Sequence, residues 1–215
     1  MPEYANTLIH RAPGGALETY ESGSQLLAKA GSVVNLSAAT VTLPQSSTTG
    51  AASATGNVAT ESDSRINKTL LTLTAVSVTL TDATTNGNEG SVKLYDFPAG
   101  NIHILGLVAD LTTLAGVGGV TDTAALVGSF GSVAAAADAT LTGTEANIAP
   151  SYAGTLSGGA GVLKNKSTGS VTLDGTSTAV DLLLNIAVPD AGSTANDTLA
   201  VSGTVAVYWI NLGDN

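Results

Sequence analysis

The chain has two histidines, His10 and His103, and general-base chemistry near neutral pH would fall to them. A serine nucleophile needs such a base at hydrogen-bond distance, held in place by a carboxylate. His10 lies beside Arg11 in a stretch that continues Pro-Gly-Gly. His103 lies between Ile102 and Ile104, on the alternate parity of a strand pattern, which turns it toward solvent or an interface. No Gly-x-Ser-x-Gly elbow accompanies either one. Paired carboxylates would suit glycoside cleavage. However, Asp82, Asp122, Asp174, Asp190 and Asp197 all adjoin turn residues, where Asp bonds its own backbone. Trp209 is the only tryptophan, too few for the aromatic platforms of a carbohydrate cleft.

Metal chemistry finds equally little. The chain has no cysteine, no Asp-x-Asp loop and no His-x-x-x-His pair. The turn from Asp190 to Asp197 is the one stretch that would suit a calcium ion. Gly116-x-Gly118-Gly119 lacks both the lysine of a phosphate loop and the strand–helix setting of a dinucleotide site. Asn35, Asn67, Asn165 and Asn196 begin glycosylation sequons in form only, because no apolar leader precedes them. The expectation is a non-enzymatic chain with no catalytic, metal-binding or cofactor-binding residues.

Charge narrows the partners. With 7 Lys and Arg against 17 Asp and Glu, the formal net charge is −10. Nucleic-acid binding needs clustered cations to displace counterions from phosphates, so DNA and RNA are disfavoured, as are anionic membranes. No stretch approaches the ~20 apolar residues of a membrane helix. The sequence reads as a protein made in a cytoplasm and soluble there.

The elements that would carry any site are strands. Aromatic residues make up 4% and charged residues 11%, while Thr, Ser, Ala, Gly and Val fill the chain. Straight-chain helix formers are scarce, and β-branched residues suit a pleated surface. Residues 1–65 read as an extended N-terminal arm with one or two short strands around Val33, Val41 and Leu43, ordered by contact with something else. Tyr4, Leu8 and Ile9 are its apolar anchors, with Arg11 as a cation able to meet a partner carboxylate; these four are the candidate partner contacts.

Residues 66–215 read as an antiparallel β-sandwich, jelly-roll-like. Leu71 and Leu73 share one parity and Val76, Val78 and Leu80 the other, which predicts a bulge near Ala75. A second switch follows Ile104, through Leu105, Leu107 and Ala109. Asn86-Gly87 and Asp174-Gly175 are hairpin signals. Residues 110–125 read as an ordered loop, Leu126–Val133 as a short strand, and the stretch from Ala134 to Pro150 as the place for a helical turn. Leu182, Leu184, Ile186 and Val188 alternate cleanly. Leu199, Val201, Val205, Val207 and Trp209 form the clearest strand face, with Trp209 as core anchor.

Two stretches resemble a group of tailed-phage virion proteins of the marine and cyanophage kind. They are Val127–Pro150, with its Gly-Thr-Glu-Ala-Asn, and Asp181–Asn215, ending Trp-Ile-Asn-Leu-Gly-Asp-Asn. The resemblance covers the C-terminal 40% of the chain well, the middle loosely and the arm hardly at all. It implies a structural role as a capsid decoration (cement) protein on the virion exterior, with the major capsid protein as partner. It also implies a homo-oligomer, a trimer or else a dimer. The alternatives are another virion β-protein (tail, baseplate or head fibre) and a carbohydrate-binding or adhesive module.

Overall fold

The computed structural model describes residues 50–213, apart from 63–65, 85–86, 115–118, 121–124, 137–139, 158–159 and 190–194. The candidate contacts Tyr4, Leu8, Ile9 and Arg11 lie outside the described residues, as do His10, Asn86, Asp122 and Asp190.

Alternation of apolar and polar side chains produces strands almost throughout. They are β1 (Ala51–Ala52), β2 (Asn57–Ser62), β3 (Asn67–Thr84), β4 (Gly87–Asp96), β5 (Gly100–Leu114) and β6 (Ala125–Gly131). After a short 3-10 turn at Gly143–Glu145 come β7 (Ala149–Ser157), β8 (Ala160–Lys166), β9 (Val171–Gly175), β10 (Asp181–Pro189) and β11 (Asp197–Asn211). The fold is all-β and sandwich-like, and every pairing is antiparallel.

The first sheet runs β1-β4-β10-β6-β7, and the second β8-β5-β11-β3-β2, with β9 beside the first half of β5. Two strands belong to both sheets. β3 pairs with β11 up to Leu80 and then with β4 from Thr81, while β7 pairs with β6 and then, at Leu156 and Ser157, with β8. Hydrogen bonding therefore passes unbroken around β3, β4, β10, β6, β7, β8, β5 and β11, which removes the open edges of those strands. β1 and β2 lie upstream of residue 66 and pair onto β4 and β3, so the sheets recruit the end of the 1–65 segment.

The bulge expected near Ala75 is present. Val201 faces Val76 and Gly203 faces Leu73, leaving Thr74 and Ala75 opposite Ser202 alone. Ala75 adopts φ 51°, and its N–H donates to Ser202 Oγ at 2.9 Å. The extra residue lets Leu71 and Leu73 share the core with Val76, Val78 and Leu80 despite their opposite parity. A second register shift lies at Leu105, since Tyr208 faces Gly106 and Trp209 faces Ile104. Ile102, Ile104, Leu107 and Ala109 are buried, and Leu105 is the residue pushed outward.

Trp209 is 2% exposed, edge-on to Phe97 at 5.4 Å, with Tyr95 a further neighbour at 6.5 Å. Its indole N–H donates to the buried Thr69 hydroxyl at 2.9 Å, so the one polar atom of the largest core side chain is satisfied.

Three sequence expectations need correcting. Residues 110–125 are not all loop, because β5 continues to Leu114, paired on both sides with β8 and β11. Asp174-Gly175 does not close a hairpin: β9 pairs with β5, whereas the next strand, β10, lies in the other sheet between β4 and β6. The local turn signal is real, but the chain uses it to cross between sheets. The helical turn between Ala134 and Pro150 shrinks to the three residues Gly143–Glu145.

Candidate docking face

The side chains with catalytic potential are dispersed. His103 is half-buried and its Nδ1 lies 2.7 Å from Thr172 Oγ1 across the β5–β9 pair. Asp174 accepts hydrogen bonds from the Thr176 hydroxyl and then the Thr176 N–H, which hold its carboxyl below the ordinary range. Asp197 is buried and accepts from the backbone N–H groups of Val120 and Thr198, so it fastens the start of β11. Among the described residues no group of three His, Cys, Asp or Glu side chains is placed to hold a metal ion. No described helix is long and apolar enough to cross a membrane.

The two sheets present very different outer faces. On the first, Asn185 and Ser129 point away from Leu184, Ile186 and Phe130, yet both are fully buried. The chain between β6 and β7 lies over them. Asn185 Nδ2 donates to the carbonyls of Val133 (3.0 Å) and Glu145 (2.8 Å), and its Oδ1 accepts from Ser91 Oγ (2.6 Å) and the Ala135 N–H (3.2 Å). Ser129 Oγ donates to the same Glu145 carbonyl.

The Glu145 carboxylate closes the loop on itself, accepting from the N–H groups of Ala136 and Thr142. Asn147 clasps Ser132 with both ends of its amide. Gly131 is required by this close approach, since a Cβ there would lie 2.4 Å from the Glu145 carbonyl. The Gly-Thr-Glu-Ala-Asn stretch is therefore framework: it fastens a cover onto the first sheet.

Among the described residues, no such cover lies on the second sheet. Its outward positions, aligned by the register, are Leu70 and Thr72 on β3, Thr204, Ala206 and Tyr208 on β11, Val108, Asp110 and Thr112 on β5, and Val162, Lys164 and Lys166 on β8. Val108 is 58% exposed, Val162 51%, and Tyr152, beside them at the start of β7, 49%. Val58 of the edge strand β2 is exposed as well. Of the exposed large hydrophobics among the described residues, Val133 is the one carried by the cover over the first sheet. The Asp110–Lys164 ion pair lies between Val108 and Val162, so apolar side chains and charges alternate across this face, a mixture that suits a protein contact.

A groove of ≈ 460 Å³ sits at one side of this face, between Val108 and Asp110 on one bank and Pro150 and Tyr152 on the other, with Lys164 and Lys166 beside it. It opens because β7 leaves toward the first sheet while β8 stays with the second. Asn165 spans the resulting seam, its Nδ2 donating to the carbonyls of Pro150 (2.8 Å) and Gly128 (3.3 Å).

Neither a protein-family model nor a curated protein sequence matches this chain.

The functional reading thus rests on geometry. None of the residues on this face was singled out from sequence. The signal was available at Val108 and Val162, apolar residues on the solvent parity of strands whose other parity fills the core.

Proposed function

We propose that the chain is a structural, non-catalytic virion protein that binds and stabilises the outer surface of a phage capsid. The observation that carries this reading is the outer face of the second sheet, which none of the described residues covers. It is broad, rich in Val and Thr, and bounded by Tyr152 and Tyr208, while the outer face of the first sheet is closed by the chain's own loop. A surface of that type suits contact with protein. The dispersed histidines and carboxylates supply no reaction centre among the described residues. The likeness of Val127–Pro150 and Asp181–Asn215 to tailed-phage virion proteins supports the assignment to a virion; these stretches supply β6 and β10 of the first sheet and β11 of the second.

In this reading the arm contributes through Tyr4, Leu8, Ile9 and Arg11, and grip is spread over repeated modest contacts whose effective concentration is raised by assembly. The test is to delete residues 1–30, confirm an unchanged melting transition, and measure occupancy on capsids stripped of the protein. Full-length chain should rebind, and the truncated chain should rebind more weakly. A full-length chain that leaves stripped capsids bare would overturn the assignment.

A further inference from the structure

β3 and β4 pair with each other at one end only, where Thr81, Asp82 and Thr84 face Glu89, Asn88 and Gly87. The next residue, Gly90, has no room for a Cβ beside the Thr79 carbonyl, and past it the two strands are no longer paired. Residues 50–62 bridge the opening. β1 pairs with Tyr95 and Asp96 of β4, and β2 pairs with β3 from Lys68 to Leu73. Between these ladders the Ser53 N–H donates to the Leu94 carbonyl at 2.9 Å, and the Thr74 N–H donates to the Gly56 carbonyl at 2.8 Å. Asn57 Nδ2 donates to the carbonyls of Ser53 and Leu94. The segment is a strap across the seam, tied to the first sheet through β4 and to the second through β3.

Little apolar burial holds this strap down. The buried core runs from Leu71 to Trp209, and the half-buried Ala59 is the one described side chain of the strap packed against it. Ala52 and Ala54 are exposed, and Val58 is 62% exposed. The strap also carries local cost. Ala54 adopts φ 72°, a left-handed conformation that disfavours a residue with a Cβ. Asn57 Oδ1 is buried with no hydrogen-bond partner among the described residues, a group that water would satisfy if the strap opened. A segment held by backbone hydrogen bonds with few buried apolar contacts opens as a unit of its own, below the free energy of global unfolding.

We infer that residues 50–62 are a releasable strap, which closes the β3–β4 seam in the free chain and peels away to lengthen the arm while the sandwich stays folded. Release adds roughly 40 Å of extended chain. This use of the strap rests on reading Tyr4, Leu8, Ile9 and Arg11 as the arm's grip on a partner. An arm tied down at residue 50 reaches a fixed distance from the sandwich, whereas one freed as far as β3 reaches contacts at varied distances.

The experiment is hydrogen exchange of the full chain across a series of low denaturant concentrations. Ser53 and the amides of β2 should be protected, yet exchange roughly tenfold or more faster than those of β11, and their rates should rise far less with denaturant. Val58 and Thr72 are exposed cross-strand partners in a chain without cysteine, so Val58→Cys with Thr72→Cys supplies a reducible lock. Oxidation should bring exchange in the strap down toward that of β11, and reduction should restore the difference. Gly56→Ala needs no disulfide: it places a side chain at φ 85° against the Thr74 carbonyl, and should strip protection from the strap while β11 stays protected. On stripped capsids the reduced lock should rebind more tightly than the oxidised one. Strap and β11 exchanging at one rate, a strap with no protection, or Gly56→Ala unprotecting both would overturn the inference. So would equal rebinding by the two forms of the lock. Failure of wild type to rebind counts against the capsid reading instead, and the exchange rates still decide whether the strap releases.

Discussion

Replacing Asn185 with Ala should loosen the cover over the first sheet without disturbing the core. Asn185 is fully buried and all four hydrogen-bonding positions of its amide are used. Two of its partners have a second bond: the Glu145 carbonyl still receives Ser129 Oγ, and the Ala135 N–H still reaches Ser91 Oγ at 2.8 Å. The Val133 carbonyl loses its donor, and the Ser91 O–H loses its acceptor while Ser91 Oγ still accepts from Ala135. A buried group left unsatisfied costs about 1–3 kcal/mol; with Ser91 half-buried and Val133 49% exposed, water replaces part of what is lost, and the total comes to about 1–3 kcal/mol. Denaturant melts followed by far-UV circular dichroism measure it. Hydrogen exchange should show faster exchange at Ser132 and Ala135, on the cover, with little change in β11. A loss below about 1 kcal/mol, or fast exchange spread evenly through both sheets, would refute the claim that this amide pins the cover.

Trp209→Ala should lose about 3–5 kcal/mol, the range for buried aromatics, because Trp209 is 2% exposed and packed against Phe97 and Tyr95; a loss under ~1 kcal/mol in the same melts would undo the register of β11. Ala75→Gly should raise stability by about 0.5–1 kcal/mol. An L-residue in the left-handed region costs ~1–2 kcal/mol and the added backbone freedom of glycine returns part of that, so a fall in the denaturant midpoint would count against the bulge geometry. Thr176→Ala removes the first cause of the lowered Asp174 pKa, which should rise toward the ordinary carboxylate value in an NMR titration. Because the folded-state value is depressed, the stability linked to Asp174 is present above the ordinary carboxylate range and lost as pH falls through the folded value. An unmoved titration would show that the turn does not hold the carboxylate.

Local pattern made much of the sandwich legible. The parity break between Leu73 and Val76 is a sequence signal for a bulge, and the alternation from Leu199 to Trp209 is a signal for a core strand with Trp209 inside. What sequence could not supply were the non-local partners. Asn185 sits on the solvent parity of an alternating strand and reads as exposed, yet a segment some forty residues away in sequence covers it. Leu105 continues an apolar run, but the register of β11 extrudes it. Asp174-Gly175 looks like a hairpin because turn chemistry is local, whereas sheet assignment is not. The docking face was hidden for a related reason. Val108, Val162, Tyr152, Lys164 and Lys166 lie on three different strands, and only strand order brings them together. The arm contacts Tyr4, Leu8, Ile9 and Arg11 lie outside the described residues.

The most direct test of the central claim is cryo-electron microscopy of the virion that carries this chain, at a resolution that traces side chains. The account predicts sandwich density on the capsid exterior. The second-sheet face that carries Val108, Val162 and Tyr152 should be buried against capsid protein, and the loop-covered face of the first sheet should turn away from that contact. Density at the tail or baseplate, or a second sheet whose outer face looks onto solvent on every copy, would contradict it.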